Sequence, residues 1–185
     1  IAFVRRPDPS FNQAISANPK SQPINVKRAC LQHEHYIAAL EKTGVEIVSL
    51  PAIHGYPDAP FVEDTTVVFD HLALACPNKE KSRRGEGASI HKEIKKYRTI
   101  KTLPPSVTLD GGDVLNTDEK IFVGISSRTN LEAVNELAKL TKKPVVPVKV
   151  LSGLHLKTSV SYLGKNILVL DPSSVDTTPL HEFKW

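Results

Sequence analysis

Val107-Thr108-Leu109-Asp110-Gly111-Gly112-Asp113-Val114-Leu115, a polar turn over Asn116 to Lys120, Ile121-Phe122-Val123-Gly124-Ile125 and then Ser126-Ser127-Arg128-Thr129-Asn130 form the stretch from which the fold is read. An apolar run enters at Val107 and Leu109. Two carboxylates, Asp110 and Asp113, flank a pair of glycines. Glycine tolerates positive φ and lets backbone or side chains approach closely, so the pair is expected to bend the chain and aim the two acids differently. The apolar runs on either side of Asn116 to Lys120 read as a hairpin. By itself Asp-Gly-Gly-Asp is also compatible with a plain turn.

Two further segments share this strand, turn, strand pattern. They run from Val67 through Asp70-His71 to Cys76, and from Val160 through Lys165-Asn166 to Pro172. The three begin at residues 67, 113 and 160, so they are 46 and 47 apart. Helical patterns follow the first two, over Ser82 to Tyr97 and Leu131 to Leu140, and each leads to a further strand, at Thr99 to Leu103 and Val145 to Val150. Thr129 or Asn130 is expected to cap the second of these helices. A fixed spacing of this size signals repeated ββαβ units, none of which can bury its own face alone. They are therefore expected to pack around an axis as propeller blades do. Glu63-Asp64 precedes the first hairpin, Asp110 to Asp113 the second and His155 the third. Equivalent entry points would face the axis, which brings carboxylates and a histidine together although they are distant in sequence.

The flanking chain fits this plan. Ile1 to Val4 reads as a strand. Val26 to Thr43 reads as a helix with Val26, Ala29, Cys30, His33, Tyr36, Ile37 and Leu40 on its apolar stripe, and Glu46 to Leu50 as the next strand. Cys30 on that stripe is expected in the core, and His33 and His35 diverge too far to form a metal pair. The unstructured run Arg5 to Pro23 has the length of a lid or binding loop. In Phe61 to Phe69 two adjacent acids interrupt an apolar segment; on a strand at least one would point inward, whereas in a loop before the strand neither need do so. The tail from Asp171 to Trp185 carries only weak patterns.

Composition excludes some classes. The chain has 185 residues, 40% hydrophobic and 24% charged, which suits a globular core. No apolar run reaches the ~20 residues that span a bilayer. Its two cysteines fit a reducing compartment such as the cytoplasm rather than a disulfide framework. The net charge of +4 arises largely from clusters at Lys79 to Arg84 and Lys92 to Lys101, which read as a solvated helix face, with no nucleic-acid partner.

With these pieces in order, the chain resembles the dimethylarginine dimethylaminohydrolases of the guanidino-modifying (pentein) superfamily. The resemblance rests on Phe61-Val62-Glu63-Asp64, Ser82-Arg83-Arg84, Leu109-Asp110-Gly111-Gly112-Asp113-Val114-Leu115, Phe122-Val123-Gly124 with Ser127-Arg128-Thr129-Asn130, and Leu154-His155-Leu156-Lys157. It implies an α/β propeller of five ββαβ blades, with residues 1–185 as a single but C-terminally incomplete domain. It implies hydrolysis of N-methylated arginines to citrulline and methylamines through a covalent cysteine intermediate. His155 would be general acid and base, and Asp110 and Asp64 would hold the guanidinium. Arg83 and Arg128 would bind the substrate carboxylate, Asp58 and Glu63 would line the amino-acid end, and Phe11 would close over it. The implied partner is a small molecule, with no metal or cofactor and no membrane, and a homodimer is compatible with it. The family nucleophile is a cysteine expected beyond residue 185, because neither Cys30 nor Cys76 has a suitable place; the 185 residues alone are expected to be inactive and prone to aggregate. Arginine deiminase, another enzyme of the superfamily and a non-catalytic pentein are the alternatives.

Overall fold

The structure, a computed structural model, describes residues 1–16 and 23–185. Residues 17–22 of the loop expected over Arg5 to Pro23 lie outside the described residues. By Cα proximity the chain divides into two compact units, one of residues 1–62 and 81–99, the other of residues 63–80 and 100–185.

The first unit contains a βαβ arrangement. Strand β1 (Ala2–Arg5) pairs in parallel with β2 (Ile47–Leu50), and helix α1 (Val26–Glu41) connects them. Asn25 caps α1 by accepting from the Arg28 amide at 3.0 Å, and Gly44, at φ +82°, lies just past its end. The apolar stripe of α1 is only half-buried: Cys30 is not in the core, and Tyr36 is exposed. The single helix expected over Ser82 to Tyr97 is instead a 3-10 turn, Lys81–Arg83, followed by α2 (Gly87–Ile94). Gly85 between them adopts φ +114°, a conformation that no helix accommodates, and a Cβ there would meet the Tyr56 hydroxyl at 2.8 Å. Lys92, Lys95 and Lys96 are solvated, while Ile90 and Ile94 are buried.

The second unit holds the three hairpins. They are β3 (Thr66–Val68) with β4 (Ala73–Ala75), β6 (Val114–Asn116) with β7 (Ile121–Ile125), and β9 (Val160–Gly164) with β10 (Ile167–Leu170), each antiparallel. A parallel strand extends two of them: β5 (Ile100–Thr102) beside β4, and β8 (Val145–Lys149) beside β7, with α3 (Glu132–Leu140) between β7 and β8 in the chain. The expected ββαβ order is thus present. The β9–β10 turn uses Lys165 and Asn166, at φ +52° and +57°, which matches the twist of a two-residue hairpin.

The sheet β6-β7-β8 lies between two apolar clusters, which explains why Ile121-Phe122-Val123 is apolar without alternation. Val114, Ile121 and Val123 join Leu74, Leu109 and Leu137 on one face. Leu115, Phe122 and Val148 join Leu156, Leu168 and Leu180 on the other. Successive strand residues alternate faces, so a sheet covered on both sides requires a continuous apolar run. The weakly patterned tail contributes to the second cluster through Val175, Leu180 and Phe183, with Phe183 edge-on to Phe122 at 5.6 Å.

Candidate active site

A short 3-10 turn precedes each hairpin: Val62–Thr65 before β3, Gly111–Asp113 before β6 and Leu156–Thr158 before β9. The expected acids and histidine occupy these turns. Asp64 lies within the first, and Asp110 and His155 immediately precede the second and third. The segment of adjacent acids is therefore a turn before the strand, yet Asp64 is still buried while Glu63 is exposed. A turn can bury one acid of a neighbouring pair as effectively as a strand can.

The two glycines make the turns fit. Neither has positive φ, so close approach alone accounts for them. A Cβ on Gly111 would lie 2.0 Å from the Glu63 carbonyl oxygen. One on Gly112 would lie 2.7 Å from Asp64 Oδ1 and 2.8 Å from His155 Cδ2. The Gly112 amide donates to Asp64 Oδ1 at 3.1 Å, so the second turn orients the acid of the first.

Three carboxylates surround the imidazole. His155 Nε2 is 3.9 Å from Asp64 Oδ2 and 3.9 Å from Asp110 Oδ2, and Nδ1 is 3.4 Å from Asp113 Oδ2. Asp110 and Asp113 are wholly buried. Asn78 Nδ2 donates both to Asp110 Oδ1 at 2.7 Å and to the Asp64 carbonyl at 3.0 Å. Arg128 Nη1 reaches Asp110 Oδ2 at 3.4 Å, and its Nε lies 3.6 Å from Glu80. Asp113 accepts from Ser126 Oγ at 2.7 Å, Thr129 Oγ1 at 2.6 Å and the Leu156 amide at 2.9 Å. Burial, the largest single influence, pulls the His155 pKa down. The hydrogen bond to Asp113 and the charges of Asp64, Asp113 and Asp110 outweigh it and hold the imidazole above its usual value.

These bonds account for a misplaced helix cap. Thr129 gives its hydroxyl to Asp113, and the Asn130 side chain bonds the Thr108 amide and the Ser106 carbonyl. Neither side chain caps α3, which starts at Glu132 without one.

Glu63 forms an ion pair with Lys157 at 2.6 Å. Both border a groove of about 500 Å³ whose walls include Thr66, Val67, Val160 and Tyr162. Phe11, Asp58 and Arg83 belong to the first unit. Phe11 packs on Phe61 with centroids 6.1 Å apart, and buried Asp58 accepts from the Ile15 amide at 3.0 Å. Arg83 is buried, with Nε and Nη2 both held by Glu86 Oε2, at 3.0 and 2.9 Å, and with Nη2 also donating to the Asp58 and Phe61 carbonyls. Asn78, Asp113, Ser126, Thr129 and Glu86 were not among the expected site residues. Asp113 had a visible signal as the second acid of the Asp-Gly-Gly-Asp motif, and Thr129 as part of Ser127-Arg128-Thr129-Asn130.

The family model described as "N,N dimethylarginine dimethylhydrolase, eukaryotic" matches residues 2–181. The chain belongs to the dimethylarginine dimethylaminohydrolase family. It is 34% identical over 173 residues to the N(G),N(G)-dimethylarginine dimethylaminohydrolase of Streptomyces coelicolor, covering 91% of this chain and 67% of that protein. An uncharacterized protein of Aeropyrum pernix is 34% identical over 177 residues, covering 91% of this chain and 65% of the relative. Among solved structures, a cysteine-to-serine mutant of the dimethylarginine dimethylaminohydrolase of Pseudomonas aeruginosa, complexed with citrulline, superposes with a TM-score of 0.89 at 25% identity, covering 98% of this chain and 72% of that one. The fold is of the pentein α/β type. The chain spans about two thirds of the length of the relatives it matches.

The cysteines of this family member do not approach a nucleophile's environment. Burial, reinforced by the charges of Asp110 and Asp64, pushes the Cys76 thiol well above its usual value, the reverse of what an attacking thiolate needs. Cys30 lies on α1, with its sulfur 3.8 Å from the Pro7 carbonyl. No helix among the described residues is long and apolar enough to cross a membrane.

Proposed function

We propose that this protein hydrolyses N-methylated arginines to citrulline and methylamines. The observation that carries this reading is the grouping of Asp64, Asp110 and His155, whose polar atoms lie within 4.8 Å of one another in a buried setting. An N-methylated guanidinium is planar and cationic and keeps several N–H donors that can pair with carboxylates, and a buried anionic cluster favours a cationic guest. Asp64 and Asp110 then hold the guanidinium and keep its carbon electrophilic. Arg128 supplies positive charge for the substrate carboxylate and Glu63 borders the amino-acid end; for Arg83, Asp58 and Phe11 a part in binding that end rests on the family resemblance alone.

The chemistry is nucleophilic. A thiolate forms a bond to the guanidinium carbon, and the C–N bond to the methylamine breaks as its nitrogen takes a proton from His155 Nε2. A thiouronium remains. Water, giving a proton to His155, adds to the same carbon. The C–S bond then breaks as the new hydroxyl loses its proton to solvent, which leaves citrulline and the thiolate, with His155 again protonated. Because neither Cys30 nor Cys76 has the setting of a nucleophile, this reading places the thiol outside these 185 residues, and residues 1–185 alone are expected not to turn over. It calls for no metal or cofactor. Residues 1–185 count here as part of one pentein domain, since the family match runs across both compact units. Two free cysteines support a reducing, cytoplasmic setting.

The test incubates the full-length protein with asymmetric dimethylarginine, monomethylarginine and arginine, and measures citrulline together with the released amine. Citrulline and dimethylamine from the first, lost in His155→Ala, are expected. Release of ammonia from arginine alone would make the protein a deiminase, and no citrulline from any of the three would end the proposal.

A further inference from the structure

Asp113 has no part in the chemistry just described, yet it has the most completely organised side chain in the cluster. It is wholly buried, and its two oxygens accept from Ser126 Oγ, Thr129 Oγ1 and the Leu156 amide while Oδ2 also faces His155 Nδ1. Its partners come from two places: the segment after β7, and the turn that carries His155 itself. The Ser126 hydroxyl is in turn the acceptor for the Arg128 and Thr129 amides, at 3.0 and 3.3 Å, which shapes the loop around Asp113. Gly124 leaves room for the arrangement, since a Cβ there would lie 2.5 Å from Asp113 Oδ1 and 2.7 Å from Leu156 Cβ.

We infer that Asp113 is the positioning residue for His155: it holds the Nδ1 proton and the ring plane, so that Nε2 is the nitrogen turned toward Asp64 and Asp110. The assignment follows from hydrogen-bond capacity. A carboxylate only accepts, so the nitrogen beside it must carry the proton, and in the neutral ring the other nitrogen is then the acceptor. Asp64 and Asp110 face Nε2 at 3.9 Å each, too long for a direct hydrogen bond. Asp113, at 3.4 Å, is the nearest carboxylate to the ring, and such contacts commonly tighten when substrate binds. Ser126, Thr129 and the Leu156 amide fix the carboxylate against both the ring and the backbone beside it, so the ring cannot turn without breaking this set. The inference rests on the proposed role of His155 in proton transfer.

The charged groups around His155 are Asp64 from the turn before β3, Asp110 and Asp113 from the turn before β6, with Arg128 behind Asp110 and Lys157 two residues along its own turn. Asp113→Asn in the full-length protein removes one charge, replaces one acceptor oxygen by an NH2 donor and leaves the other groups. The expected result is a fall in kcat of about 10²–10⁴-fold with KM changed by less than about threefold. The limb of the kcat–pH profile due to the imidazolium should move to lower pH, because a contributor to the raised His155 pKa is gone. A folded variant with reduced kcat and an unmoved limb would assign Asp113 to structure alone and overturn the inference. The second measurement is independent of that variant's folding: ¹⁵N imidazole NMR of the unsubstituted protein at high pH, with His155 assigned by loss of its signals in His155→Gln. A protonated Nδ1 and a pyridine-type Nε2 are expected, and a dominant Nε2–H tautomer would overturn the inference. Inactivity of the unsubstituted protein on methylated arginines would remove the proposed function, while the tautomer would still decide the role of Asp113 toward its ring.

Discussion

Exchanging each glycine of the Asp-Gly-Gly-Asp turn for alanine separates packing from chemistry. In Gly111→Ala the new methyl meets a backbone atom, the Glu63 carbonyl oxygen at 2.0 Å, with the Val67 side chain at 3.3 Å. The oxygen cannot swing away, so two turns must part. Overpacking of this kind costs about 1–3 kcal/mol, and a clash with main chain belongs at the upper end. In Gly112→Ala the methyl meets only side-chain atoms, Asp64 Oδ1 at 2.7 Å and the His155 ring at 2.8 and 2.9 Å. These can retreat, so the stability cost is smaller. To reach an ordinary contact near 3.4 Å, however, the ring must move by about 0.6 Å, and a displacement approaching 1 Å at a reacting group costs on the order of 10²-fold in rate. Urea unfolding and steady-state turnover of methylarginine, both on the full-length protein, give the two readouts. Gly111→Ala should lower the urea midpoint more, and Gly112→Ala should lose rate out of proportion to stability. If both variants stay within about 0.5 kcal/mol and twofold in rate of the parent, the close nesting of the turns is wrong.

Two further outcomes follow from buried charge. Because the His155 pKa is raised in the folded state, its stabilising effect is full below the unfolded value near 6.5 and is lost as pH rises through the higher folded value. The stability difference between the parent and His155→Gln, from urea midpoints at a series of pH values, should therefore fall with increasing pH above about 6.5; a difference that grows there has the wrong sign. Glu86→Gln leaves buried Arg83 without its anionic partner; at 3% and 1% side-chain exposure the pair is shielded from water, so a loss of about 3–5 kcal/mol on unfolding is expected, and a loss under about 1 kcal/mol would show that the other Arg83 contacts suffice.

Much of the fold could be read from the chain because it rests on local patterns that repeat. Three hairpins at a constant spacing, two of them followed by a helix and a parallel strand, follow from apolar periodicity and turn residues. The positions of Asp64, Asp110 and His155 at the entry to successive hairpins foreshadow their meeting. What escaped notice depended on contacts between distant segments. Thr129 and Asn130 look like helix caps, and only the fold diverts them to Asp113, Thr108 and Ser106. The run from Ser82 to Tyr97 has helical periodicity, but the φ of Gly85 splits it. Cys30 sits on an apolar stripe whose helix buries none of its residues fully. Asn78, an unremarkable residue after a proline, bridges Asp110 to the backbone of Asp64, and no local pattern marks it.

The proposed reaction requires that Asp64 and Asp110 jointly bind a guanidinium beside His155. Its most direct test is calorimetric titration of asymmetric dimethylarginine into full-length protein carrying His155→Ala, which blocks turnover, with and without Asp110→Asn or Asp64→Asn. Removing one charge from a buried, hydrogen-bonded pair typically costs 2–5 kcal/mol, so each added substitution should weaken binding by at least about 30-fold. Affinity unchanged by both substitutions would contradict the claim.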